Sequence, residues 1–176
     1  AIDSRYVHTH LASLSEADVL LLQNEIPAAA TESLLNALAS QDDQPTVVLD
    51  PAPAENVGSM LGHTCIDIVT PNEAEASILA AELDAFDGVV CYKHGPDPIE
   101  VIGPNLAFEV APPPADPVDT TGAGDVFAGY LGAELARGTT LRTAVHWGAI
   151  AGSLSVEQHG VQPAVPNRKE IEAVLS

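Results

Sequence analysis

"ADVLLLQNEIPAAATESLLNALAS", residues 17–40, holds two periodicities in one line. Residues 17–23 form a short apolar run of the length of a buried strand, whereas Leu34, Leu35 and Leu38 recur at the spacing of one helical face. A strand therefore runs into a helix. The alternation continues with "PTVVLDPAP" (45–53), a second buried strand stopped by prolines, which cannot extend a ladder. "TCIDIVTPN" (64–72) reads as a third strand, "EAEASILAAEL" (73–83) as a helix and "GVVCYK" (88–93) as a fourth strand. Apolar strands alternating with helices predict an α/β fold with a mainly parallel sheet covered on both faces.

Beyond Lys93 the pattern changes. "IEVIG" and "LAFEVAPPP" read as a hairpin or as edge strands, with Gly103, Pro104 and Asn105 in the turn. From Ala123 the apolar residues Val126, Phe127, Tyr130, Leu131 and Leu135 keep helical spacing, and Gly138 suits a left-handed cap. A further helix is predicted from about Thr140 through Trp147 to Val156, and a short one over "NRKEIEAVL" with Asn167 as its cap. His8 and His10 alternate in a polar segment; neither they nor His63, His94, His146 and His159 show metal-ligand spacing, so surface or capping roles are expected.

The chain has 176 residues and is 46% hydrophobic, enough for the core of one ordinary domain or a large piece of a bigger one. Cys65 and Cys91 stand far apart with no CxxC, which predicts two buried thiols and neither a disulfide framework nor a zinc site. No apolar run reaches the length of a membrane span, and "AIDSRYVHTH" lacks the features of a secretory signal, so a soluble cytoplasmic protein without a membrane partner is expected. With 25 acidic residues against six lysines and arginines, the formal charge is −19. Nucleic acid is excluded as a partner, because its binding needs clustered cations. Such an acidic surface suits a salt-rich, halophilic cytoplasm, where screening removes its self-repulsion.

"VDTTGAGDVF" (118–127) sets glycines and a carboxylate where a helix begins. A helix start offers unpaired amides and about half a positive charge, and glycines let an anion approach the main chain. Lys93 is the only basic residue between Arg5 and Arg137, so a polyphosphate would be held mostly by backbone amides and metal ions. Asp125 would repel that phosphate; it is explained if it takes a proton from an attacking hydroxyl, or, more plainly, as a first-turn acid that favours the helix dipole. The Rossmann GxGxxG is absent, and Tyr130 stands where a P-loop needs its lysine.

"DTTGAGD" resembles the signature of the ribokinase-like, or PfkB, carbohydrate kinases, and "LLLQNEIP", "LDPAPA", "TPNEAEA" and "GVQPAVP" agree with that family in the right order. The resemblance implies a three-layer α/β/α fold. It makes Asp125 the catalytic base for a sugar's primary hydroxyl, and the amides of Gly122, Ala123 and Gly124 the anion hole for the transferred phosphoryl group. It also implies that Asn72 and Glu75 lie near the triphosphate and Mg²⁺, with Glu75 reaching the metal through water. Glu25 would contact the sugar, together with Asp125. Lys93, His94, Gly95, Gly124 and Ala149 would serve the nucleotide, and Asp119, Thr121, Ser155, Gln158, Gly160 and Ala164 would surround a K⁺ ion. The cofactor set implied is ATP, Mg²⁺ and K⁺, and the family allows a homodimer of the full-length form.

Departures from the family pattern are also visible. "KHGPDP" keeps Lys93 and Gly95 of the nucleotide loop but has Pro98 for its second glycine, and Ala149 and Ala164 replace frequent polar residues. The segment from Ala76 to Gly88 is short. The chain is expected to start just after the family's lid-bearing region, making residues 1–176 the C-terminal nucleotide-binding and phosphoryl-transfer portion of the kinase. "DPAPA" and "GVQPAVP" favour a pentose kinase acting on D-ribose. A fructokinase, a ketodeoxygluconate kinase, a nucleoside kinase or a non-catalytic nucleotide-binding fragment are the alternatives.

Overall fold

The computed structural model describes residues 2–175. The chain forms two compact units, one from residues up to Lys93 with Glu100–Phe108, the other from His94–Ile99 with the residues from Glu109 onward.

In the first unit the helices are α1 (Ser4–Ser15), α2 (Ala28–Leu38), α3 (Glu73–Ile78) and α4 (Ala80–Asp84). Strands β1 (Val19–Gln23), β2 (Thr46–Asp50), β3 (Ile68–Val69) and β4 (Val89–Tyr92) are mutually parallel in that order. β5 (Ile99–Gly103) runs antiparallel to β4, and β6 (Leu106–Val110) completes the six-stranded sheet beside β5. In the ladder Leu22 is level with Leu49, Leu49 with Val69, and Val69 with Val90, so the parallel strands all end at the same sheet edge. Leu34, Leu35 and Leu38 of α2 pack with Val47, Leu49, Val69 and Val90 in one core. Each such side chain contributes roughly 1.5–3 kcal/mol on burial. Val48 of β2 and its partner Ile68, in the alternate register, are buried too, which explains why these strands read as unbroken apolar runs.

Three local features differ from the sequence reading. The N-terminal segment is helical: Asp3 caps α1 through Tyr6 N (2.8 Å), and Val7, Leu11 and Leu14 join the core. His8 and His10 turn to their own helix, with Nδ1 2.7 Å from Ser4 O and 2.9 Å from Tyr6 O. The third strand has only two residues. The helix expected over 73–83 is broken at Leu79, whose φ of −100° and ψ of 16° leave the helical region. The break turns Leu79 into the core while Ile78 stays 60% exposed.

The second unit is built on α5 (Ala123–Ala136), α6 (Leu141–Ser155) and α7 (Arg168–Leu175). Gly138 has φ +76° after α5 and Asn167 caps α7, both as read from the sequence, and Thr140, where α6 was expected to begin, caps that helix. α5 and α6 approach so closely that a Cβ on Gly148 would lie 2.9 Å from the Phe127 carbonyl oxygen. Glu134, fully buried in α5, pairs with Arg168 of α7, and that guanidinium lies 4.0 Å over the Trp147 ring. Cys65 and Cys91 are buried free thiols. Among the described residues no helix is long and apolar enough to cross a membrane.

Candidate functional site

The predicted residues of the first unit all follow the carboxyl ends of parallel strands, where open α/β sheets bind ligands. Glu25 is exposed in the turn after β1. Its neighbour Asn24 fixes that turn, donating from Nδ2 to the carbonyls of Pro53 (2.7 Å) and Glu55 (2.8 Å) and from its amide to Ala52 (3.0 Å). After β3, Asn72 and Glu75 form a capping box: Glu75 N donates to Asn72 Oδ1 (3.0 Å) and Asn72 N to Glu75 Oε2 (2.8 Å), with Asn72 Nδ2 donating to Glu75 Oε1 (2.8 Å). The cap orders the two side chains as one unit. After β4, the Lys93 amide donates to Pro71 O (2.8 Å), and Lys93 bridges Asn72 in parallel register.

Sequence reasoning missed Asp50. Its Oδ2 accepts from Lys93 Nζ (2.8 Å) and from Thr70 Oγ1 (3.2 Å), joining the ends of β2, β3 and β4. The only signal was "LDPAPA", which carries Asp50 among the family-like segments but says nothing of its partner.

In the second unit the glycine loop is held from both sides. The amides of Val118 (2.7 Å) and Asp119 (3.1 Å) donate to Val156 O at the end of α6. Asp119 then accepts from Thr121 N (3.0 Å) and Gly160 N (3.2 Å). These hydrogen bonds, first that of the Thr121 amide, then its hydroxyl, then the Gly160 amide, hold the Asp119 carboxyl below its ordinary value of 3.8. Asp119, Thr121 and Gly160 are therefore brought together as predicted. Ser155 is buried and donates to Gly152 O (2.8 Å), Ala164 is buried, and Gln158 is exposed.

Gly122 caps α5 with φ +80°, a left-handed conformation that costs other residues strain, and a Cβ there would lie 2.6 Å from Val161 Cγ1. Of the three amides expected to form an anion hole, that of Ala123 donates to Thr120 O at 3.3 Å. The amides of Gly122 and Gly124 have no hydrogen-bond acceptor among the described residues. They are the two donors best suited to an incoming anion. Asp125 is exposed on the first turn of α5. His94 opens a turn in which its carbonyl accepts from Asp97 N (3.1 Å), Gly95 has φ +62°, and Ala149 is buried within α6.

Comparison with known proteins adds a family. The chain is 32% identical to the ribokinase of Bacillus subtilis (strain 168), over 99% of this chain and 61% of that protein. It is 32% identical to the ribokinase of Haemophilus influenzae, over 90% of this chain and 56% of the relative. The ribokinase structure from Thermotoga maritima superposes with a TM-score of 0.82 at 32% identity, over 93% of this chain and 58% of that one. That of Arabidopsis thaliana ribokinase complexed with ribose and ATP gives 0.82 at 26%, over 96% and 59%. The chain thus spans less than two thirds of each of these relatives, and the likeness bears out the ribokinase-like α/β fold class. The profile of the pfkB family carbohydrate kinases matches residues 4–168, and the chain belongs to that family.

Proposed function

We propose that this chain is the nucleotide-binding and phosphoryl-transfer portion of an ATP-dependent sugar kinase that phosphorylates the primary hydroxyl of a pentose, D-ribose giving ribose 5-phosphate. The observation that carries this is the start of α5, where two amides with no acceptor among the described residues precede a carboxylate by at most one turn. Asp125 takes the proton of the sugar hydroxyl, the freed oxygen attacks the γ-phosphorus, and ADP leaves with the electron pair of the broken P–O bond. The amides of Gly122 and Gly124 stabilise the charge that grows on the transferred oxygens, a role worth about 10²–10³ in turnover per donor in other enzymes. Ala123 completes the loop.

Asn72, Glu75, Lys93, His94, Gly95 and Ala149 serve the nucleotide in this reading, and Glu25 contacts the sugar. Among the described residues no group of three or more His, Cys, Asp or Glu side chains converges as a metal centre. That fits Mg²⁺ carried on the triphosphate and touching Glu75 through water, since Mg²⁺ commonly keeps several waters. Mg²⁺ supplies neutralisation of the phosphate charge. The closure of the 119–121 segment onto Gly160 suits a K⁺ ion among Asp119, Thr121, Ser155, Gln158, Gly160 and Ala164, because carbonyl and carboxylate oxygens match a hard, weakly charged ion. The charge of −19 supports work in a salt-rich cytoplasm.

Another pfkB-type kinase reaction is the second reading, favoured by the 27% identity to the adenosine kinase of Saccharomyces cerevisiae over 74% of this chain. Ribose-dependent ADP release tests the proposal. Asp125→Asn should lower it by about 10²-fold or more while Mg-ATP affinity stays within a few-fold. Unchanged turnover sinks the base assignment, and faster ADP release with adenosine than with ribose moves the substrate to the second reading.

A further inference from the structure

Asp50 has no role in the phosphoryl-transfer scheme, yet it is placed where that scheme needs a fixed cation. Its side chain is 7% exposed and that of Lys93 14%, so the pair is nearly dry. Stability alone is a weak reason for such a pair, because apolar side chains of similar volume commonly serve as well. The chain has one lysine or arginine between Arg5 and Arg137, and that residue is tied to this carboxylate.

Position explains the arrangement. Asp50 closes β2, Thr70 follows β3 and Lys93 follows β4, so three adjacent strand ends meet on one carboxylate oxygen. The parallel bridge between Lys93 and Asn72 sets the lysine beside the Asn72–Glu75 cap. Of the three ammonium hydrogens, one is engaged by Asp50. The other two have no acceptor among the described residues. A lysine free to rotate would lose that freedom on meeting a phosphate; one already held by a carboxylate loses little.

We infer that Asp50 is a positioning residue, which with Thr70 fixes the Lys93 ammonium as a preformed contact for the terminal phosphates of a bound nucleoside polyphosphate. This rests on the nucleotide-binding reading above. The pair is close to neutral overall, so Lys93 contributes directed hydrogen bonds more than long-range attraction, and its effect depends on the carboxylate that aims it.

Calorimetric titration of the chain with Mg-ATP and with AMP tests this in the wild type, Asp50→Asn, Lys93→Met and the double variant. Asp50→Asn should weaken Mg-ATP about tenfold, the scale of one charged hydrogen bond, with AMP within about twofold. The double variant should bind Mg-ATP no more than about twofold worse than Lys93→Met alone, since Asp50 acts only through the lysine. Wild-type Mg-ATP affinity in Asp50→Asn, equal losses for Mg-ATP and AMP, or additive losses in the double variant each overturn the positioning role while leaving nucleotide binding intact. Should Asp50→Asn not fold, Thr70→Val keeps the ion pair but removes its second anchor; a few-fold loss confined to Mg-ATP is expected, and no selective loss overturns the inference. A folded wild-type chain that binds no Mg-ATP overturns both the nucleotide reading and this inference.

Discussion

Replacing Gly122 by alanine acts on the loop at its most constrained point. At φ +80° a residue with a Cβ is strained, by about 1–2 kcal/mol. The new Cβ would also lie 2.6 Å from Val161 Cγ1, too close for contact. Val161 is an exposed side chain that can swing away, so the clash adds less than the backbone strain. A total near 2 kcal/mol corresponds to a fall in Tm of roughly 4–8 °C for a chain of this length. Two variants separate the terms: Val161→Ala added to Gly122→Ala relieves the clash and recovers a minority of the loss, while Gly122→Asn, which tolerates a left-handed backbone, costs less than alanine. Differential scanning calorimetry reads the stability, and titration with Mg-ATP reads the function, which should weaken at least tenfold as the amides of Gly122 and Gly124 lose their common aim. A Gly122→Ala chain with wild-type Tm and affinity would refute the claim that this conformation is required.

Other residues make independent predictions. Asp119, whose folded value lies below 3.8, contributes stability that is fully present above that pH and lost as pH falls through the lower folded value. The Tm gap between wild type and Asp119→Asn should therefore hold from neutrality to above pH 3.8 and narrow as the solution is made more acidic; a gap that widens on acidification contradicts the hydrogen-bonded carboxylate. Gly148→Ala forces a Cβ to within 2.9 Å of the Phe127 carbonyl oxygen, and should cost about 1–3 kcal/mol in thermal unfolding. Phe127→Leu should not rescue it, because the carbonyl stays in place. Burial pushes the Cys91 thiol up to about 12, against a smaller lowering by Lys93, so the neutral thiol is the dominant form at pH 8. Native protein should leave Cys91 unreacted with a thiol reagent that labels both cysteines in denaturant; rapid native labelling at Cys91 refutes that burial.

What could be read from the sequence followed the strength of the local pattern. β2 and α2 were legible because their apolar residues repeat at one period and prolines or polar residues stop them. α1 was not, although Val7, Leu11 and Leu14 stand at helical spacing after a capping Asp3, because histidines and hydroxyl residues dominate the stretch between. The break at Leu79 has no glycine or proline to announce it, so the local pattern reads as one continuous helix. In the site, the glycine loop could be read because it lies within a few residues of chain, and Asn72 and Glu75 were singled out by their family-like segment, though their capping box was not. The Asp50–Lys93 pair could not, since 43 residues separate its members and only the parallel ladder brings them level.

The most direct test is a calorimetric titration of this chain with Mg-ATP in molar potassium chloride, repeated with sodium in place of potassium. Saturable binding of one nucleotide per chain, weaker in sodium, is the predicted result, because the open amides of Gly122 and Gly124 and the segment closed by Asp119 would then act together as a nucleotide and cation site. A chain that is folded by circular dichroism yet takes up no nucleotide in either salt would contradict the proposed phosphoryl-transfer portion.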